Sequence, residues 1–276
     1  MNNTILNIEG FEIDSSIYNI EDILNTPNYQ SFSLEDIFEL LSKNYKKNKK
    51  LAEAIDMYLS SIDNMRYERK LNKQGITLIA GVDEVGRGPL CGPVVTCACI
   101  LPVDYKLPGL TDSKKISEKK REELYEILIK DAVSYAIGIV DNKRIDEINI
   151  REAAIEAMYQ AIDKLDKKPE YVLIDAMDLN KLDMPYHAMI KGDFKSASIS
   201  AASIIAKVTR DRMMIDLDKE YPEYGFAKHK GYPTKDHIEA VKKYGVKDFY
   251  RFTFSPISEI IKNDEDDENA KEKGNN

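Results

Sequence analysis

Two adjacent carboxylates, Asp83 and Glu84, follow the apolar run Leu78-Ile-Ala-Gly-Val82, and Gly86, Arg87 and Gly88 come directly after Val85. The apolar run predicts a buried strand that delivers both acids into a glycine-rich turn. Two carboxylates about 4 Å apart at an effective dielectric near 20 repel by about 4 kcal/mol, so their convergence requires a proton or a cation between them. A divalent metal ion is the simplest such cation. The glycines let backbone N–H groups and the Arg87 guanidinium approach a phosphate or sugar with no Cβ in the way. The same tripeptide also suits an ordinary hairpin loop with a solvated arginine, and the residues alone leave both open.

More acids sit where a second strand would end. Tyr171-Val-Leu-Ile-Asp175 repeats the pattern of an apolar run closed by a carboxylate. A strand between helices adds in parallel, and acids at the ends of such strands converge on one crevice, which makes Asp175 a ligand candidate and leaves Asp178 as a loop residue. Tyr186 to Ile190 predicts a further strand, ended by Lys191-Gly192-Asp193. Asp193 is either a ligand or the cap of the Ser- and Ala-rich helix that follows over 196–206. In Thr111-Asp-Ser-Lys-Lys115, Lys114 or Lys115 meets a phosphate or simply leads the next helix from the surface. The turn His229-Lys-Gly-Tyr-Pro-Thr234 presents Tyr232, a ring that packs on its own loop or stacks on a base or sugar. The later part of the Ser- and Ala-rich helix, Lys207 to Arg212, mixes both charge signs and forms either an internal Arg and Asp network or a substrate contact; Asp211 does not read as a metal ligand.

Several elements must position these groups. Val94 to Leu101 predicts a strand antiparallel to the first, because their Gly/Pro-rich connection holds no helix. A helix from Ser117, a strand over Val133 to Val140 and a helix capped by Asn149 follow. Thr234 caps another helix. Before the acids, Ser33 and Asp36 form a capping box, and Leu51, Ile55, Leu59 and Ile62 recur at helical spacing. The basic run Asn44 to Lys50 is either a solvated helix face or a phosphate-binding patch. These features divide the chain into a helical N-terminal extension over 1–72, a catalytic part over 73–262 and a disordered acidic tail over 263–276.

Composition bounds the rest. The 276 residues are 43% apolar, enough for a real core, and no apolar run reaches the length of a membrane span. The N-terminus lacks the basic start and apolar centre of a signal peptide, so the cytoplasm is the expected location and no membrane partner is expected. Cys91, Cys97 and Cys99 read as reduced core thiols. The net charge of −8 sits at the ends, since residues 43–262 carry 38 bases against 34 acids. A polyanionic substrate is therefore compatible with the whole.

The run Asp83-Glu84-Val85-Gly86-Arg87-Gly88 resembles the signature of ribonuclease HII. The resemblance extends through Leu110 to Lys115, Leu173 to Ala176, Lys191 to Asp193, Ser200 to Asp211 and His229 to Thr234. It implies an α/β, ribonuclease H-like fold, a mixed sheet flanked by helices. It implies hydrolysis of the RNA strand of an RNA-DNA hybrid, including single ribonucleotides in duplex DNA, with 3′-hydroxyl and 5′-phosphate products. Asp83, Glu84, Asp175 and Asp193 would hold two Mg²⁺ or Mn²⁺ ions, which oxygen ligands suit. Gly86, Arg87, Gly88, Lys114 and Tyr232 would contact substrate. The resemblance also implies a monomer that serves DNA replication and ribonucleotide excision repair.

Overall fold

The computed structural model describes residues 5–18, 20–43 and 45–263. Its first elements depart from an all-helical extension. Ile5–Ile8 (β1) and Phe11–Asp14 (β2) pair antiparallel around Glu9 and Gly10, both at positive φ. Leu6, Ile8, Phe11 and Ile13 turn inward from this hairpin while their neighbours stay more exposed, a period of two within an acidic stretch. Helices α1 (Glu21–Leu24), α2 (Leu34–Ser42), α3 (Tyr45–Ile62) and α4 (Arg66–Asn72) follow. Ser33 and Asp36 make the predicted reciprocal cap of α2.

Ile13, Ile23, Leu34, Ile37, Leu51 and Ile55 form a small core of their own. Ile62 stays 68% exposed because α3 ends at that residue, beyond the edge of this core. Lys47 lies 3.1 Å from Asp22 and Lys49 lies 3.9 Å from Glu53, so part of the basic run is paired within the extension. The chain changes partners after α3. Met65 joins Leu124, Ala201 and Ile205, and Tyr67 and Leu71 pack on Ile79, Leu173 and Ile199. By packing, α4 belongs to the large core, and the transition lies nearer Ile62 than the expected Asn72.

That large core is built on β3 (Ile79–Val85), β4 (Val94–Ile100), β5 (Ser134–Val140), β6 (Tyr171–Asp175) and β7 (Tyr186–Met189). The sheet order is β5-β4-β3-β6-β7; the β5/β4 and β4/β3 pairs are antiparallel, and the β3/β6 and β6/β7 pairs are parallel. This is the mixed sheet that the sequence predicts. Between the strands run α5 (Glu118–Asp131), α6 (Asn142–Ile148) and α7 (Ile150–Asp163). Asn149 caps α7 by accepting from the Arg151 and Glu152 N–H groups, and the short α6 precedes it. After β7 come the single-turn α8 (Gly192–Lys195), the long α9 (Ala197–Glu220), α10 (Phe226–His229) and α11 (Lys235–Tyr244), which Thr234 caps.

The Ser- and Ala-rich helix continues through its charged later part, Lys207 to Arg212, as expected, with an i,i+4 pair, Lys207 to Asp211 at 2.6 Å, and runs on to Glu220. The α7 side chains cover one face of the sheet, while α5 and α9 cover the other. At Gly81 of β3 an added Cβ would run into the Ser198 backbone of α9, so only glycine permits this approach. A third core joins Leu90 and Cys91 to Met214, Tyr224, Phe226 and Tyr250, with the His229 and His237 rings stacked at 4.1 Å beside it. The three cysteines are buried free thiols, as expected. No helix among the described residues is long and apolar enough to cross a membrane. Residues 264–276 of the predicted tail lie outside the described residues.

Candidate active site

Strand β3 continues through Val85, so Asp83 and Glu84 lie within it and not in the turn beyond. The parallel register pairs Val82 with Ile174, which sets Asp83 alongside Asp175 at the end of β6. Strand alternation starts the Asp83 and Glu84 side chains toward opposite faces, yet at this end of the sheet they share one electrostatic field. Burial, then the charges of Glu84 and Asp175, push the Asp83 carboxyl well above the usual range, with a Ser203 hydrogen bond pulling it back. Burial raises Glu84 as well, against Arg87, whose Nη1 lies 3.2 Å from Oε1. Burial also raises Asp175, while the Gly192 N–H donates to its Oδ1 at 2.7 Å and opposes the rise.

Asp193 reaches the same place on α8. Burial and the charges of Asp175 and Asp112 push it up to about 6, with Lys114 opposing them. Lys114 Nζ lies 4.0 Å from Asp193 Oδ2; the charges of Asp83, Asp193 and Asp112 outweigh its own desolvation and hold it above the ordinary lysine range. A cavity of about 360 Å³ is lined by Asp112, Lys114, Lys115, Asp175, Asp193 and Phe194, among others.

The residues present suit a divalent cation on two counts. Glu84 Oε2 is buried without a hydrogen-bond partner, and the acids around it are held above their normal pKa by burial first and then by neighbouring acidic charge, a cost that a bound cation reduces. The carboxylates are not, however, a closed cage: among the described residues no three acids, histidines or cysteines are gathered as a ready-made metal site.

A pH prediction follows from Asp193. Its folded pKa of about 6 exceeds the ordinary 3.8, so the folded state holds this proton more tightly than the unfolded chain does. The associated stability is present below the unfolded value and is lost as pH rises through about 6. Without metal, Asp193→Asn should therefore melt a few degrees above the parent near pH 7.5, and the advantage should shrink towards pH 4. Thermal melts of both proteins across that range check it; an advantage no larger at pH 7.5 than at pH 4 would take Asp193 out of the acidic group.

The glycine loop stands beside these acids. Gly86 has φ +96°, and a Cβ there would strike the Arg210 side chain and the Pro93 carbonyl. Arg251 is fully buried and donates to the carbonyls of Gly86, Arg87, Pro89 and Gly92. Arg210 donates to the carbonyls of Pro93, Lys230 and Cys91. Arg210 thereby ties the loop to the turn that carries Tyr232, while Arg251 holds the loop itself. The Tyr232 ring comes within 3.5 Å of where a Cβ on Gly88 would stand, and Lys207 Nζ is 6.0 Å from the ring centre. All nine predicted site residues thus fall in one region, with Arg87 and Tyr232 partly exposed beside the acids.

Residues 80–256 match the family model for ribonuclease HII. The chain belongs to the ribonuclease HII family. A ribonuclease HII of Bacillus cytotoxicus is 54% identical over 227 residues, which is 82% of this chain and 86% of the relative. One from Bacillus anthracis is 52% identical over 224 residues, 81% of this chain and 86% of the relative. The ribonuclease H2 structure from Pyrococcus horikoshii OT3 superposes with a TM-score of 0.58 at 32% identity, covering 66% of this chain and 96% of that one. The ribonuclease HII solved in complex with PCNA from Archaeoglobus fulgidus gives 0.57 at 29% identity, covering 64% and 95%. Membership of ribonuclease HII makes the chain a metal-dependent ribonuclease H hydrolase, an endoribonuclease acting on RNA-DNA hybrids.

Sequence reasoning passed over several groups of this ribonuclease HII site. Asp112 raises both Asp175 and Asp193 by its charge and lines the cavity with them. Ser113 is buried with its hydroxyl 2.9 Å from that of Ser203, the residue hydrogen-bonded to Asp83. Both lie in the Thr111–Lys115 motif beside its lysines, and an acid and a serine within that motif are the signal that marks them. Arg251 had no local signal, since its partners lie about 160 residues earlier in the chain.

Proposed function

We propose that this enzyme cuts the RNA strand of hybrids and also single ribonucleotides embedded in duplex DNA, leaving 3′-hydroxyl and 5′-phosphate ends. The observation that supports it is the convergence of Asp83, Asp175 and Asp193 on one field beside the glycine loop and Tyr232. Two Mg²⁺ or Mn²⁺ ions, when bound, supply water activation and leaving-group charge for an in-line displacement. Asp83, Glu84, Asp175 and Asp193 are the residues that would hold them, with the unpartnered Glu84 Oε2 offering a free ligand atom. The Gly192 N–H holds one oxygen of Asp175, and the other would be the one to take a cation. Lys114 stands within reach of a phosphate at the mouth of the acidic cavity.

Recognition falls to the loop. RNA differs from DNA at the attacked strand by one 2′-hydroxyl, so discrimination needs donors and acceptors close to that group. Gly88, exposed and without a side chain, lets backbone come close there, with the exposed Arg87 guanidinium beside it and Gly86 turning the loop at φ +96°. Tyr232, 38% exposed and beside Gly88, would stack on the deoxyribose that follows the ribonucleotide. Tyr232→Ala should then lose roughly 1 to 3 kcal/mol of stacking, more on a single-ribonucleotide duplex than on a continuous hybrid. Tyr232→Phe should retain most of the preference. The measurement is cleavage of both substrates by parent and variants, with Mg²⁺ or Mn²⁺ and with chelator. Equal losses on the two substrates would remove Tyr232 from junction recognition, and cleavage that survives chelation would overturn the metal mechanism.

A further inference from the structure

The element that carries Asp193 cannot hold itself. Helix α8 is one turn of four residues, entered from Lys191 in the left-handed region at φ +59°, and a single helical turn is unfavourable without outside contacts. Strand β6 and helix α9 hold its start, through the Gly192 N–H to Asp175 and the Ser200 hydroxyl to the Asp193 carbonyl, whereas its end is held from the N-terminal part of the chain. Lys195, at the end of α8, is buried with its Nζ 2.5 Å from Asp56 Oδ2 of α3. Asp56 is itself buried, and its other oxygen takes the Arg66 guanidinium and the Tyr67 hydroxyl, the latter at 2.8 Å. The next two residues are gripped as well: the Ser196 hydroxyl donates to Glu68 Oε1 at 2.6 Å, and the Ala197 N–H donates to the Asn64 carbonyl at 2.8 Å. Met57, adjacent to Asp56, lines the acidic cavity together with Asp175 and Asp193.

A buried lysine–aspartate pair is expensive to desolvate and is weak evidence for stability as such. Its placement two residues from Asp193 gives it a different use. We propose that Asp56 is a positioning residue of the active site: through Lys195 it fixes α8, and so holds the Asp193 carboxylate against Asp175 in the metal-binding cavity. The extension is then part of the catalytic apparatus, although Asp56 touches neither substrate nor reacting atoms.

This inference rests on the reading of the acidic cavity as the metal site, and the test separates the two. Mn²⁺ binding to the full-length protein, without nucleic acid, is measured by titration calorimetry for the parent, Asp56→Asn, Lys195→Met and the double variant. The Asn and Met side chains match the originals in size, and the double variant neutralises the Asp56–Lys195 pair while Arg66 keeps Glu35 as its partner at 2.9 Å. Each single variant should weaken Mn²⁺ binding about tenfold, the scale found when a residue that orients a metal ligand is lost. The double variant should lose about the same tenfold, because the two residues act as one unit. At saturating Mn²⁺ the variants should recover most of the parent's hybrid-cleavage kcat. Unchanged Mn²⁺ affinity in both single variants, or a loss near a hundredfold in the double, overturns the proposal while leaving the metal site intact. A parent that takes up no Mn²⁺ overturns both.

Discussion

Replacing Asp83 or Asp175 with asparagine is expected to cut hybrid cleavage by more than about a hundredfold, since even the loss of a residue outside the metal's direct contacts costs about 10- to 100-fold. A neutral amide in the centre of the acidic group weakens both the hold on a cation and the polarisation of bound water. Stability should move the other way. Both carboxyls are raised by burial and by neighbouring acids, so an uncharged side chain relieves repulsion and the metal-free variants should melt no lower than the parent. Rates near the parent's at saturating Mg²⁺ in both variants would sink the assignment. A collapse of the melting temperature would show instead that the two acids hold the strand ends together.

Arg251→Met carries the largest expected effect on stability. The side chain of Arg251 is fully buried, and its hydrogen bonds to the carbonyls of Gly86, Arg87, Pro89 and Gly92 run from 2.6 to 3.1 Å. Each buried carbonyl left without a donor costs roughly 1 to 3 kcal/mol. Removing a buried charge offsets part of this, since burial and the nearby Arg210 charge pull the Arg251 guanidinium down to about 9. The net loss should still be on the order of 4 kcal/mol, or roughly 10 °C in Tm for a unit of this size. Cleavage at low temperature should fall too, because the loop that presents Arg87 loses its support. Arg251→Lys supplies donors but no planar fork, and should recover only part of both. Denaturant melts of the two variants decide it, and a loss within about 1 kcal/mol for Arg251→Met would mean that other donors replace the guanidinium.

What could be read in advance was local. The apolar runs that end in Asp83 and Asp175 have the signature of core strands, and their parallel register follows from the helices between them. Caps at Ser33, Asn149 and Thr234 are three-residue patterns and came through intact. The hairpin over residues 5–14 escaped because its inward residues are spaced among acids, where a helix and a strand leave similar traces. The grip of Asp56 on Lys195 joins positions 139 residues apart, and nothing in either neighbourhood marks it. Asp178, which its position marks as a loop residue, accepts the Tyr186 hydroxyl. The site was legible as a set of residue types, whereas the scaffolding that aims them is made of long-range polar contacts that one-dimensional patterns do not carry.

The contact beneath Gly81 sets the mechanical character of the whole centre. Where a side chain separates two layers, their spacing can vary with each rotamer the side chain visits. Here the first turn of α9 bears directly on β3, backbone against backbone, two residues before Asp83. Side-chain hops cannot loosen such a seat. The acid-bearing strand therefore inherits the stiffness of a 24-residue helix, which serves as a fixed reference surface against which the more mobile parts of the reaction, the nucleic acid and its ions, are brought into alignment.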